Sequence, residues 1–113
     1  MIKGRVRWGV RTPLGITVRT TEEYWKLITK FKHPIIKRYE REVKETLKEP
    51  DEIRESKKDA KVLLYYRQYK NLENRYICVL IKQLNGEGFV VTAYLADKIK
   101  RGNVIWQKNR KKS

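Results

Sequence analysis

An α+β fold, with two helices packed on one face of a four-stranded antiparallel sheet, is the architecture this sequence predicts. Three patterns point to it. Apolar residues recur at helical spacing on either side of Pro34, β-branched and aromatic runs fill the second half of the chain, and turn-forming residues separate those runs. A chain of 113 residues suits a single domain. It divides into a basic β-hairpin or extended arm (1–19), a core (20–106) and a basic tail (107–113).

The first stretch carries Lys3, Arg5, Arg7, Arg11 and Arg19 and no acid, and Val6, Trp8 and Val10 alternate with arginines. Thr12-Pro13-Leu14-Gly15 supplies a turn before Ile16 and Val18. Thr20 with Glu23 reads as a capping box, and Tyr24, Trp25, Leu27, Ile28 and Phe31 predict a helix from about Thr21 to Lys32. Pro34 opens a second helix, with Ile35, Ile36, Tyr39, Val43 and Leu47 on its apolar face, ending near Lys48 before Pro50.

A short strand through Ile53 follows, then a turn at Lys57-Lys58-Asp59 and a strand Val62 to Arg67. Tyr76–Lys82 and Gly88–Leu95 form a hairpin about Asn85-Gly86-Glu87-Gly88, since Asn and Gly accept the positive φ of a tight turn. Strict alternation in the last strand puts Phe89, Val91, Ala93 and Leu95 on one face and Val90, Thr92 and Tyr94 on the other. A helical turn from Asp97 to Lys100, a strand Val104-Ile105-Trp106 and a frayed tail from Lys108 to Lys112 complete the reading. One sheet face is expected to stay open for a partner.

Charge narrows the function. Lys and Arg number 28 against 13 Asp and Glu, a formal charge of +15, so the expected partner is a polyanion. Cys78 is the sole cysteine, set in an apolar run, and reads as a packing thiol in a reducing compartment. No stretch approaches the roughly 20 apolar residues of a membrane span, and the N-terminus shows no apolar signal core. The expectation is a cytoplasmic protein without membrane, metal or cofactor, because one His and one Cys supply no usual zinc set.

His33 is the only histidine, hence the only side chain whose ordinary titration falls near neutral pH. Before Pro34 it either caps a helix or does chemistry. The helix dipole and Lys32, Lys37 and Arg38 favour a neutral imidazole there, which is a competent base. Metal-free RNA cleavage needs a base for the 2′-hydroxyl, a proton for the leaving oxygen and cations for the phosphorane. His33 with Lys37, Arg38 and Arg67 can supply these. Lys37 and Arg38 equally suit an exposed helix face, Arg38 pairing with Glu42. Thr92 and Tyr94 share a face with hydroxyls available to substrate. Trp8, Tyr66, Tyr69 and Tyr94 suit base stacking, and Ser56 either donates to a phosphate or forms a turn.

Trp25-x-x-Ile28 with His33-Pro34, Pro50-Asp51-x-Ile53-Arg54-x-Ser56, Leu64-Tyr65-Tyr66-Arg67, Phe89 to Tyr94, Ile99-Lys100 and Ile105-Trp106 together form a longer pattern. It resembles the phage-associated branch of the Barnase, EndoU, colicin and RelE (BECR) nuclease superfamily, from about Thr20 to Trp106. The resemblance implies two helices before a four-stranded antiparallel sheet and a metal-independent, toxin-like ribonuclease. By motif, His33 would be the acid or base, Arg67 a phosphate cation, and Thr92 and Tyr94 the hydroxyl pair. Lys37, Arg38, Arg54, Ser56 and Tyr66 would bind substrate. RNA is the implied substrate, and an acidic antitoxin or immunity protein the implied partner. The second reading is a non-catalytic RNA-binding or regulatory domain. A double-stranded DNA binder ranks third, for want of a helix-turn-helix signature.

Overall fold

A computed structural model describes residues 4–108. The chain runs β1 (Val6–Arg11), β2 (Thr17–Thr21), α1 (Glu22–Leu27), a π-helical turn (Ile28–Lys32), a 3-10 helix (Pro34–Tyr39), α2 (Glu40–Lys48), β3 (Glu52–Glu55), β4 (Val62–Tyr69), β5 (Arg75–Leu84), β6 (Glu87–Ala96) and β7 (Asn103–Gln107). The class is α+β. Lys3 and the tail from 109 onward lie outside the described residues.

The sheet has seven strands rather than four, in the order β1-β2-β6-β5-β4-β3-β7. The expected meander forms its centre, from β3 to β6, with antiparallel neighbours throughout. At one edge the basic hairpin β1–β2 joins the same sheet, β2 running parallel to β6 with Val18 opposite Gly88. Gly88 permits this approach: a Cβ there would lie 2.9 Å from both Ile81 Cδ1 and Val18 Cγ2. At the other edge β7 pairs with β3. Such pairings across distant segments leave no mark on local periodicity. The β5–β6 turn is Asn85-Gly86, both at positive φ (52° and 79°) as a two-residue hairpin of this hand requires.

Helices and hairpin cover one face. Trp25, Ile28, Ile36, Val43 and Leu47 pack there against Leu63, Tyr65, Ile77, Val79, Ile81, Val90 and Ala93. Thr21, one residue later than the expected cap, accepts from the Tyr24 N–H at 3.1 Å and starts α1. The first predicted helix widens into the π turn, closed by His33 N–H donating to Ile28 O at 2.8 Å. The second begins as a 3-10 helix behind Pro34 and becomes α-helical at Glu40. Arg38 therefore does not pair with Glu42, whose ion-pair partner is Arg41 at 3.6 Å.

Two bulges correct the alternation read from sequence. Val6 pairs with Thr21 and Trp8 with Thr20, so Arg7 is the extra residue of β1. Arg7 reaches Glu40 and Glu22 at 2.5 and 2.6 Å, while Trp8 Nε1 donates to Glu40 at 2.9 Å and its ring meets Trp25 edge-on. In β6, Leu80 pairs with Thr92 and Ile81 with Val90, so Val91 is extra. Val90 consequently joins Ala93 in the helix-covered core instead of sharing a face with Thr92 and Tyr94. No helix among the described residues is long and apolar enough to cross a membrane.

Candidate functional site

The opposite sheet face is crossed by the β6–β7 connection, residues 97–102, where sequence predicted a helical turn and an uncovered surface. This strap has little slack. Ala96 pairs with Tyr76, while Asn103 pairs with Glu55, which lies in register with Leu63 and Ile81. The strap therefore crosses about four strand spacings sideways and about five residues lengthwise, a diagonal of about 25 Å in a flat sheet. The seven Cα–Cα steps available reach about the same distance when extended. Too few residues remain for a helix.

Beneath the strap lies a second cluster, in which Leu64, Tyr66 and Cys78 are buried and Tyr76, Leu80, Tyr94 and Ile99 pack around them. Register explains its membership. Glu52, Tyr66, Cys78 and Tyr94 stand side by side across four strands, next to a row of Arg54, Leu64, Leu80 and Thr92. Tyr76 meets Tyr66 edge-on at 6.4 Å. Burial pushes the Cys78 thiol up to about 11, so it is a packing group and no nucleophile at neutral pH. Burial also raises Tyr66 and Tyr94, with Cys78 adding to both, and keeps both phenols protonated.

His33 enters this face from its rim. The bulge at Val91 turns a carbonyl outward, and Tyr24 Oη (2.9 Å) and Lys32 Nζ (3.2 Å) both donate to it. That tie holds the end of the π turn against β6. The next residue, His33, makes no side-chain cap; its ring instead lies 5.6 Å from the Tyr94 ring, tilted by 36°. Arg101 Nη1 in turn donates to Tyr94 Oη at 3.2 Å. Imidazole, phenol and guanidinium thus form a continuous series. Arg101 was not singled out by sequence, because its role depends on the strap's path.

The other expected residues are distributed unevenly. Thr92 shares the face, but its hydroxyl is buried and has no hydrogen-bond partner. Tyr66 is buried beneath the strap, so its ring is not open to stacking. Arg54 lies on the same face, bonded to Glu52 at 2.5 Å and to the Gly102 carbonyl at 3.3 Å, which fixes the end of the strap. Ser56 forms a turn, its Oγ accepting from Lys58 N–H at 3.2 Å.

Arg67 is on the helix-covered side, opposite Ile77 in register and over the Tyr69 ring. It donates to Glu49 O at 2.8 Å, so it is not gathered with His33 and Tyr94. Alternation along β4 puts it on the face of Tyr65 and Tyr69. Lys37 lines a groove on the helix side with Arg7, Trp25 and Glu40, and Arg38 is exposed. Trp8 and Tyr69 pack with the core.

Among the described residues no group of three or more His, Cys, Asp or Glu is arranged to hold a metal ion. The fold and site define an α+β protein with a phenol, an imidazole and a guanidinium assembled on a strapped sheet face. No protein-family model matches the chain, and no curated protein or solved structure matches it.

Proposed function

We propose that this chain is a metal-independent endoribonuclease of toxin-like type, related to the phage-associated branch of the BECR nucleases. The observation that carries the reading is the placement of the sole histidine against Tyr94, itself hydrogen-bonded to Arg101, in a chain of charge +15. His33 accepts the 2′-hydroxyl proton as that oxygen attacks the adjacent phosphorus. The bond to the 5′ oxygen breaks, and solvent protonates the leaving group. Arg101 occupies a lone pair of the Tyr94 oxygen, and the phenol O–H, which neighbours the Cys78 thiol in the unliganded fold, turns to a phosphoryl oxygen when substrate binds. Guanidinium and phenol then stabilise the charge that accumulates on the phosphorane. RNA is the substrate, an acidic antitoxin the fitting protein partner, and the cytoplasm the proposed compartment.

The test replaces one ribonucleotide at a mapped cleavage site with its 2′-deoxy analogue. Loss of cleavage at that site, with a 2′,3′-cyclic phosphate at the sites still cut, is the expected result. Unimpaired cleavage at the deoxy position would overturn the mechanism. A second reading, a non-catalytic RNA-binding domain, draws on the burial of Tyr66 and of the Thr92 hydroxyl, two of the groups expected to meet substrate. RNA binding by the wild type without cleavage of any substrate would establish that reading.

A further inference from the structure

Helical spacing places Phe31 with the buried residues of the first helix, yet its side chain is 70% exposed, and it is the one exposed aromatic among the described residues. The cause is local. In the π turn each residue advances less around the axis than in an α-helix, so after Trp25 and Ile28 the ring swings outward. Lys32, also exposed, lays its ammonium on the Val91 carbonyl at 3.2 Å. An exposed phenyl ring adds little to the core and is accessible to a flat ligand.

Its surroundings are cationic throughout. From Lys26 to Tyr39 the chain carries Lys26, Lys30, Lys32, Lys37 and Arg38 and no acid. Lys30 Nζ stands 5.5 Å from the Phe31 ring centroid. Lys26, Lys30 and Lys37 also border a groove of about 630 Å³, floored by Trp25. None of the three is in an ion pair among the described residues. The groove's one carboxylate, Glu40, is occupied by Arg7 and Trp8. Three uncompensated ammonium groups about one concavity, next to an open aromatic ring, match what single-stranded nucleic acid presents: phosphates at intervals and a base with a π face.

We propose that Phe31 is a base-stacking platform and that Lys26, Lys30 and Lys37 hold the flanking phosphates, forming a subsite for single-stranded RNA beside His33. The inference rests on RNA being the substrate and adds where the same strand is held on the helix side, two residues along the chain from His33. Phe31 touches no reacting atom and is a positioning residue. An acidic protein would meet the same charge but has no need of an aromatic flanked by cations.

The experiment measures binding of a short fluorescein-labelled oligouridylate by anisotropy, with cleavage followed in parallel. Phe31→Ala is expected to weaken binding about tenfold and Phe31→Trp to restore it, the size of one base–aromatic stack. On an oligomer abasic at the stacked position Phe31→Ala should change nothing, which a merely structural role would not produce. Replacing the three lysines by Gln should lower the slope of log affinity against log salt by about 2. Equal affinity of wild type and Phe31→Ala would overturn the subsite while leaving the nuclease reading intact, and would assign the exposed ring to a protein partner. Phe31-dependent binding without cleavage by the wild type would keep the subsite and remove the nuclease reading.

Discussion

The two faces of the sheet are built from the same strands but closed by different means. One is sealed by helices and hairpin, with Ile36, Val43 and Leu47 fully buried and a large apolar interior. The other carries a cluster of three buried side chains, two of them polar or polarisable, under a six-residue strap. A face sealed by hydrocarbon supplies stability and leaves nothing for chemistry. A face covered by a short strap leaves His33 and Tyr94 half-buried and Arg101 exposed, above the buried Tyr66 and Cys78. The molecule separates its large apolar interior from the face that carries the candidate site.

Substitution on each face is the most forceful way to break that comparison. Leu47→Ala, on the helix side, should cost about 2–5 kcal/mol of stability, measured by urea denaturation. Ile99→Ala, on the strap, should cost less than half as much. Equal losses would mean that the strap carries as much of the fold as α2.

Arg101→Met sharpens the comparison from the functional side. It should lower the cleavage rate by about 10²- to 10³-fold, the effect of removing one preorganised donor, while the melting temperature stays near that of the wild type. A variant that cleaves normally would place the phosphate elsewhere. Arg101 also shows what sequence conveys and what it does not. The hairpin turn at Asn85-Gly86, the helix opening at Pro34 and the central strands were legible, because each depends on local conformational preference. The bulge at Val91, the parallel pairing of Val18 with Gly88 and the strap were not, since each is set by packing between distant segments. The shared face of Thr92 and Tyr94 was accordingly readable, whereas the turning of Val90 into the core, the separation of Arg67 from Tyr94 and the approach of Arg101 were not.

Alkaline pH offers a finer probe. Cys78 is pushed from 9.0 to about 11 by burial, so the folded state holds its proton where the unfolded chain releases it. Stability is therefore full below about pH 9 and falls as pH climbs through 11, by at most about 3 kcal/mol. Cys78→Ala should remove the decline between pH 9 and 10 in melting temperature and lessen it from 10 to 11, where the raised tyrosines also contribute. Tyr65 and Tyr69, both pushed to about 12 on the helix side, should preserve a later fall in either protein.

The smallest effect is expected at Thr92, whose buried hydroxyl lacks a partner. Thr92→Val removes an unpaired polar group at nearly constant shape, and should be neutral or stabilising by about 1 kcal/mol in calorimetry. If it also slows cleavage, the hydroxyl's unsatisfied state serves substrate. A clear loss of stability would show that the hydroxyl is bonded in solution.

Single-turnover cleavage of labelled RNA in excess chelator, by wild type and His33→Ala at matched amounts of bound RNA, bears most directly on the central claim. The wild type should cut, and His33→Ala should bind equally while cutting about 10²- to 10⁴-fold more slowly, the range of general acid–base catalysis. Equal rates for the two proteins, or no cleavage by the wild type, would contradict the account.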